Sequence, residues 1–433
     1  MAIGSTGNTT QVSAASGGGS GYRGAFAMVT TLFFIWGFLT SLNDILIPHL
    51  KAIFDLNYAE VMLVQFVFFV AYAVFGYPSG KVVEHIGYKR MMVAGLLIMA
   101  VGAILFIPAA NLPSFPVFLL ALIFLGAGMA SLQVAANPYV TVLGPAETAS
   151  SRLNLSQAFN SLGTTIGPPL GGLLILAGAE KLVADVHTLS PTALHAYRLQ
   201  QAATVKTPYL IFTAVLILLA LAIGFYKFPR IAGATKEDGA EDERHVSIWR
   251  YRHVMLGAVG IFVYVGAEVA IGSFLINYFG GKDIGGLSAE TAALYLPVYW
   301  GGAMVGRFIG SAVLQKMKTD KLLAINATVA MVLVVISMLS FGHVAMWSIL
   351  LVGLFNSIMF PSIFTLGVAE MGPLTGEASG LLVTAIVGGA IIPELQGILA
   401  DHIGLHHAFI LPVLCYLFII YYGWKGSRVI QPA

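Results

Sequence analysis

Charge is scarce in this chain. Of 433 residues, 22 are Lys or Arg and 20 are Asp or Glu, so charged groups make up 10%, against about a quarter in an ordinary soluble domain. Cysteine is scarcer still. Cys415 stands alone, which excludes an intramolecular disulfide and leaves a packed apolar thiol as its role. No group of His, Cys, Asp and Glu has metal-ligand spacing, and neither a nucleophile triad nor a phosphate-cradling loop is legible. An enzyme is therefore not expected, nor is a bound cofactor or structural metal. A net charge of +2 provides no basic field for nucleic acid.

Apolar residues fill the space that charge leaves. They make up 58% of the chain, and the mean hydropathy is +0.86. Runs of roughly 20 apolar residues, each long enough to cross a bilayer, recur from end to end. Hydrocarbon offers no partner to a backbone N–H or C=O, so each run must be a helix. The spans fall at 25–51, 58–83, 89–109, 115–143, 150–178, 207–228, 252–279, 289–316, 321–341, 345–368, 377–400 and 406–425. This is an all-α membrane protein of twelve helices, expected to work as a monomer with the lipid bilayer as its surroundings.

Lys and Arg cluster on one side, at Lys89, Arg90, Arg152, Lys227, Arg230, Arg250, Lys316, Lys318 and Lys321, whereas the other side holds Lys51, Lys181, Arg198, Lys206 and Lys282. The positive-inside rule then puts both termini in the cytoplasm of a bacterial-type inner membrane. Residues 1–24, rich in Gly, Ser and Thr, lack the basic start of a signal peptide and read as a disordered tail. The charged stretch within 229–250 reads as a linker between a six-helix half at 25–228 and another at 251–433. The halves repeat: PYVTVLGPAE from Pro138 and PSIFTLGVAE from Pro361 close the fourth and tenth spans, and Pro168 and Pro393 follow in the next helix of each. Pseudo-symmetric halves of this kind hold a solute at their interface and rock around it. The 179–206 loop, outside the spans, reads as an ordered surface helix.

Polar groups inside the spans are expensive and mark either function or helix pairing. Asp44, beside Asn43, shares a face with Gly37, Thr40, Ser41 and Pro48. A carboxylate there suits a cation or proton. Glu268 stands in the seventh span, with Tyr264 a turn before it and Gly272 a turn after. Gln133 and Asn137 lie on the fourth span, Gln157, Asn160, Ser161 and Thr164 on the fifth. Uncharged amides and hydroxyls that both donate and accept suit a polyol, or zip helices together. Tyr295, Tyr299 and Trp300 offer aromatic faces and Asn356 another amide, as sugar contacts or as packing. Glu370, Glu377 and Asp401 read as loop or cap residues near cytoplasmic ends. Glu394 follows Pro393 within a span as a broken-helix site or a gate contact. The loop after the second span, from Gly80 through Glu84 and Gly87 to Lys89 and Arg90, joins close-packing glycines to an acid and two bases, a latch that must break when the halves rock.

That loop resembles the signature between the second and third helices of the major facilitator superfamily. LNDILIP at 42–48, AANPYVTVLGP at 135–145 and RLNLSQAFNS at 152–161 narrow the resemblance to the fucose permease family, nearest its glucose/galactose transporter branch. The resemblance spans nearly the whole chain. It implies a twelve-helix sugar symporter with alternating access, a functional first-helix acid at Asp44 and fifth-helix sugar contacts at Gln157 and Asn160. One departure stands out. The proton-coupled fucose carriers have a second essential acid on the fourth helix, where this chain has Gln133, and the carboxylate reappears across the cavity as Glu268. The expectation is symport of a hexose, glucose or galactose, with Na⁺ the preferred ion and H⁺ the alternative. An efflux carrier for sugars or drugs and an L-fucose:H⁺ symporter are the rivals.

Overall fold

The computed structural model describes residues 19–54, 56, 58–112, 114–171, 189–229 and 247–430. The expected tail up to residue 18 and residues 230–246 of the expected linker lie outside these. Helix α1 (Gly19–Phe54) starts six residues before the expected boundary, because Gly24 packs directly on the Tyr226 hydroxyl. The stretch Tyr58–Asn111 is helical on both sides of Gly87, whose φ of 79° and ψ of 161° break it into two arms, α2 before and α3 after. Only glycine adopts that backbone without strain, so one residue of the latch motif makes the tight turn.

There follow α4 (Phe115–Val142), α5 (Ala149–Gly171) and α6, in which Pro191–Ala203 leads into Lys206–Phe225. The first piece of α6, capped by Ser190 on the Ala193 N–H, is the helix expected within 179–206. The second set comprises α7 (Arg252–Gly280), α8 (Leu296–Val313), α9 (Thr319–Leu339), α10 (Gly342–Asn356 and Met359–Gly367), α11 (Thr375–Thr384 and Gly388–Ile403) and α12 (Leu405–Ala408 and Ile410–Tyr421). Nine stretches among the described residues are long and apolar enough to cross a membrane, and one of them, Leu63–Asn111, holds both arms around Gly87. The two remaining helices, α5 and α8, carry the polar residues that lower their hydropathy.

Within the first set α1 packs on α5, α2 on α4, and α3 on α6 through the stacked rings of Phe106 and Tyr209; within the second, α7 packs on α11 and α12, and α8 and α9 on α10. Small residues set these approaches, as is usual where lipid supplies no hydrophobic drive between helices. A Cβ on Gly95 would stand 2.9 Å from the Gly128 carbonyl oxygen, so α3 and α4 touch backbone to backbone. Cys415 is buried in α12, as a packed thiol should be.

Candidate functional site: the seams between the halves

Two helix pairs carry most of the contact between the halves, with α4 also tied to α11 where Ser379 donates to the Val134 carbonyl at 2.8 Å. In the first, α2 meets α11. A Cβ on Gly80 would lie 2.7 Å from the Gly376 carbonyl oxygen and 3.0 Å from Gly380 Cα, so only bare backbone fits. The Glu377 N–H donates to Glu84 Oε1 at 3.1 Å, which places a carboxylate on the first turn of α11, where exposed N–H groups favour negative charge. The Tyr77 hydroxyl bonds the Glu377 carboxylate, the Thr384 hydroxyl accepts from the Tyr77 N–H at 2.8 Å, and the Lys81 ammonium lies 4.9 Å from the centre of the Tyr77 ring. The acid of the latch motif thus reaches across to the other half. Gly87 sits beyond it at the turn, Lys89 is half-buried and Arg90 exposed.

The second pair is α5 with α8. Ser151 donates to the Ser311 carbonyl at 2.7 Å, Asn154 Nδ2 to the Arg307 carbonyl at 2.7 Å, and Thr165 Oγ1 lies 3.6 Å from Met304 Sδ. Residues 300, 304, 307 and 311 form one stripe of α8. Along it the surroundings change from closed to open: Ser311 is 5% exposed, Trp300 42%. On α5, Ser151 is buried and Thr165 exposed. The halves are therefore tight on the side of the Gly87 turn and part on the other.

Arg307 stands where the parting begins. Its guanidinium donates to the Ser161 hydroxyl of the first half and, through Nε at 3.3 Å, to the Ser357 carbonyl of α10. Nη2 lies 3.9 Å from Glu268 Oε1, and both side chains are largely buried. That oxygen makes no hydrogen bond among the described residues. Behind the pair runs a chain through four helices, α12, α10, α8 and α7. Tyr416 donates to Asn356 Oδ1 at 2.8 Å, Asn356 Nδ2 to the Tyr299 hydroxyl at 3.1 Å, and Tyr299 to the Glu268 carbonyl at 3.1 Å. Glu268 is held by its backbone, while its carboxylate has the Arg307 guanidinium and the Tyr264 phenol as neighbours.

The residues singled out in the sequence divide. The side chains of Asp44 and Asn43 lie outside the described residues. Thr40 bonds the Trp36 carbonyl at 2.9 Å and lies 3.4 Å from Met129 Sδ of α4. Asn160 spends its Nδ2 on the Phe33 carbonyl at 2.9 Å, tying α5 to α1. Gln133 donates to the Tyr72 hydroxyl at 2.8 Å, tying α4 to α2. Gln157 is buried, and Asn137 is fully so, with neither amide atom of Asn137 hydrogen-bonded among the described residues. Tyr264, Tyr299 and Asn356 are buried in the second half rather than facing the cleft. Trp300 is exposed, its indole against Gly272. Asp401 is a correction: it ends α11 at the side opposite Glu377, because the helix crosses the whole thickness between them. It shares a cleft of about 420 Å³ with Glu394, Asn277 and Phe274.

Sequence reading missed Arg307, Tyr72 and Tyr416. Arg307 was the one base inside a span, and that alone was signal enough. Register adds a relation that the sequence leaves open. Gly163 of α5 lies against the Phe34 carbonyl of α1, and Gly388 of α11 against the Phe262 carbonyl of α7. Six residues beyond these matched crossings stand Thr40 and Glu268. The pseudo-symmetric mate of Glu268 is thus Thr40, and Asp44 is level with Gly272.

Residues 28–393 match the family model of the Major Facilitator Superfamily. The chain is 49% identical over 407 residues to the glucose/galactose transporter of Brucella abortus, covering 94% of this chain and 95% of that one. It is 36% identical to the L-fucose-proton symporter of Escherichia coli, over 93% of each. The E. coli transporter FucP, solved in the outward conformation, superimposes with a TM-score of 0.87 at 35% identity, over 94% of this chain and 100% of that one.

Proposed function

The chain belongs to the Major Facilitator Superfamily, and from that premise we propose that it carries a hexose, glucose or galactose, into the cell together with a cation. The observation that bears most weight is the Glu268–Arg307 pair. A carboxylate and a guanidinium sit deep in the membrane, where two six-helix bundles meet and can part. Such charges are costly in a bilayer and are kept where ions or protons pass. The names of the relatives supply the sugar class. The tight seam on the Gly87 side, open opposite, supports an outward-facing state awaiting substrate, with the Gly87 turn in the cytoplasm.

Donors surround Glu268. Arg307 and the phenols Tyr264, Tyr299 and Tyr416 are its charged and titratable neighbours. A sodium ion needs a shell of several oxygen ligands and would sit beside the Arg307 guanidinium, 3.9 Å from Oε1, which repels a cation. A proton needs one oxygen, and that is the coupling ion this geometry favours at Glu268, in place of the sodium preferred from the sequence. Sodium retains one argument from the sequence: Thr40, Ser41, Asn43 and Asp44 carry side-chain oxygens within one short stretch of α1. In this reading Asp44 is the outer cation-accepting acid, and the amides Gln133, Asn137, Gln157 and Asn160 with Trp300 give the sugar its contacts.

Proteoliposome uptake of labelled glucose and galactose, under imposed proton or sodium gradients and competed by fucose, tests all of this. Proton-driven uptake competed by glucose and galactose is expected. Asp44→Asn and Glu268→Gln should each abolish uphill uptake while leaving exchange measurable. Full concentrative uptake by either variant, or uptake driven by sodium alone, would refute the corresponding assignment.

A further inference from the structure

Arg307 has two sets of partners, one in each half: Ser161 of α5 on one side, Glu268 of α7 and the Ser357 carbonyl of α10 on the other. Among the described residues it is also the one charged contact of the α5–α8 seam, placed just before the seam opens toward Trp300. We propose that Arg307 is the positioning residue through which the charge of Glu268 closes the seam on the Gly87 side. The proposal deepens the coupling role given to Glu268, but it is a statement about the seam and does not require a particular sugar.

The direction follows from electrostatics. A buried guanidinium is tolerable while a carboxylate lies beside it; remove that charge and an uncompensated cation remains in a low-dielectric contact. The remaining partners of Arg307 are neutral oxygens, which solvate a cation less well than water does. Neutralising Glu268 therefore penalises the closed seam relative to any arrangement in which the guanidinium reaches water. The nearest such arrangement is one with α5 and α8 drawn apart. The rest of the seam consists of uncharged contacts, the Ser151–Ser311 and Asn154–Arg307 carbonyl bonds among them, which are indifferent to Glu268. A cation taken up at Glu268 from the open side would thus loosen the closed side, and Arg307 would be the link.

The lone cysteine makes the test clean. In a Cys415→Ala background, Ser151→Cys puts a thiol at a position that is 4% exposed in the seam. Its rate of modification by a water-soluble maleimide is measured in lipid nanodiscs, both faces bathed in reagent, without sugar or ion gradient. With Glu268 and Arg307 present the rate should be low. Glu268→Gln should raise it by roughly tenfold or more, since a buried charge is left without its partner. Adding Arg307→Gln, which leaves a neutral pair able to fold, should return the rate to the low value, whereas adding Arg307→Lys should leave it high. If Glu268→Gln changes nothing, or if the double neutral variant labels as fast as Glu268→Gln alone, the proposal fails. Failure of hexose uptake with this labelling pattern intact would overturn the transport reading and spare the link; coupled uptake with unresponsive labelling would do the reverse.

Discussion

Single residues in this protein do more than their type alone would suggest. Asn356 accepts from Tyr416 and donates to Tyr299, so Asn356→Ala strands the Tyr416 hydroxyl and takes a donor from Tyr299, which keeps its bond to the Glu268 carbonyl. Interhelical hydrogen bonds in membranes average well under 1 kcal/mol because partners are found even in loosened states. Here both phenols are wholly enclosed, and the cost of an unsatisfied buried group, about 1–3 kcal/mol, should win. Thermal unfolding in detergent should show it as a clear loss of stability, and Asn356→Asp, which still accepts from Tyr416, should show less. Gln133 invites the opposite experiment. Gln133→Glu keeps the 2.8 Å contact with Tyr72 by letting the phenol donate, and it restores the acid of the fucose carriers. Uptake by that variant should depend more steeply on pH than uptake by the parent, as pH-jump assays in proteoliposomes can check.

Helices were the easiest level to read from the chain, since a bilayer converts every long apolar run into one and leaves no alternative. The two polar helices were legible for the same reason as the others, by length between turns. What could not be read was which helix touches which at what depth. Ser161 and Arg307 are 146 residues apart, Tyr72 and Gln133 61, and no local pattern encodes such pairings. The match of Glu268 with Thr40 rather than Asp44 rests on where Gly163 and Gly388 cross their partners, a tertiary fact. Two of the residues read as sugar contacts, Asn160 and Gln133, also tie helices together, and an amide in a sequence looks alike in either role. One element-level tie has a sharp consequence. Arg152 bonds the Val140, Thr141 and Pro145 carbonyls and the Thr148 hydroxyl, stapling the end of α4 to the start of α5. Arg152→Ala should cost about 2 kcal/mol or more, and Arg152→Lys should recover only part, since an ammonium cannot fork across several oxygens. Comparing the unfolding of both variants in detergent decides it.

The whole molecule rests on two seams of different character: bare glycine backbone between α2 and α11, hydroxyl and charge contacts between α5 and α8. If alternating access requires both to separate, locking either should stop it. Ser151 Oγ and Ser311 Oγ are 3.2 Å apart, close enough for cysteines placed there to be joined. In the Cys415→Ala background, that pair should transport normally when reduced, stop when oxidised and recover with reductant. Gly80→Val acts in the other sense, wedging the first seam apart; it should lower sugar binding from the outer side and speed maleimide labelling of the Ser151→Cys variant. The polarity of α8 reaches past the finished protein to its synthesis. A helix carrying Arg307 among glycines leaves a translocation channel reluctantly by itself, and Glu268 on the helix just before it is the natural escort. The two should partition into lipid as one hairpin. In a glycosylation-reporter fusion, α8 alone should be threaded through in a large fraction of chains, α7 and α8 together should integrate, and Glu268→Leu should weaken that cooperation despite making α7 greasier.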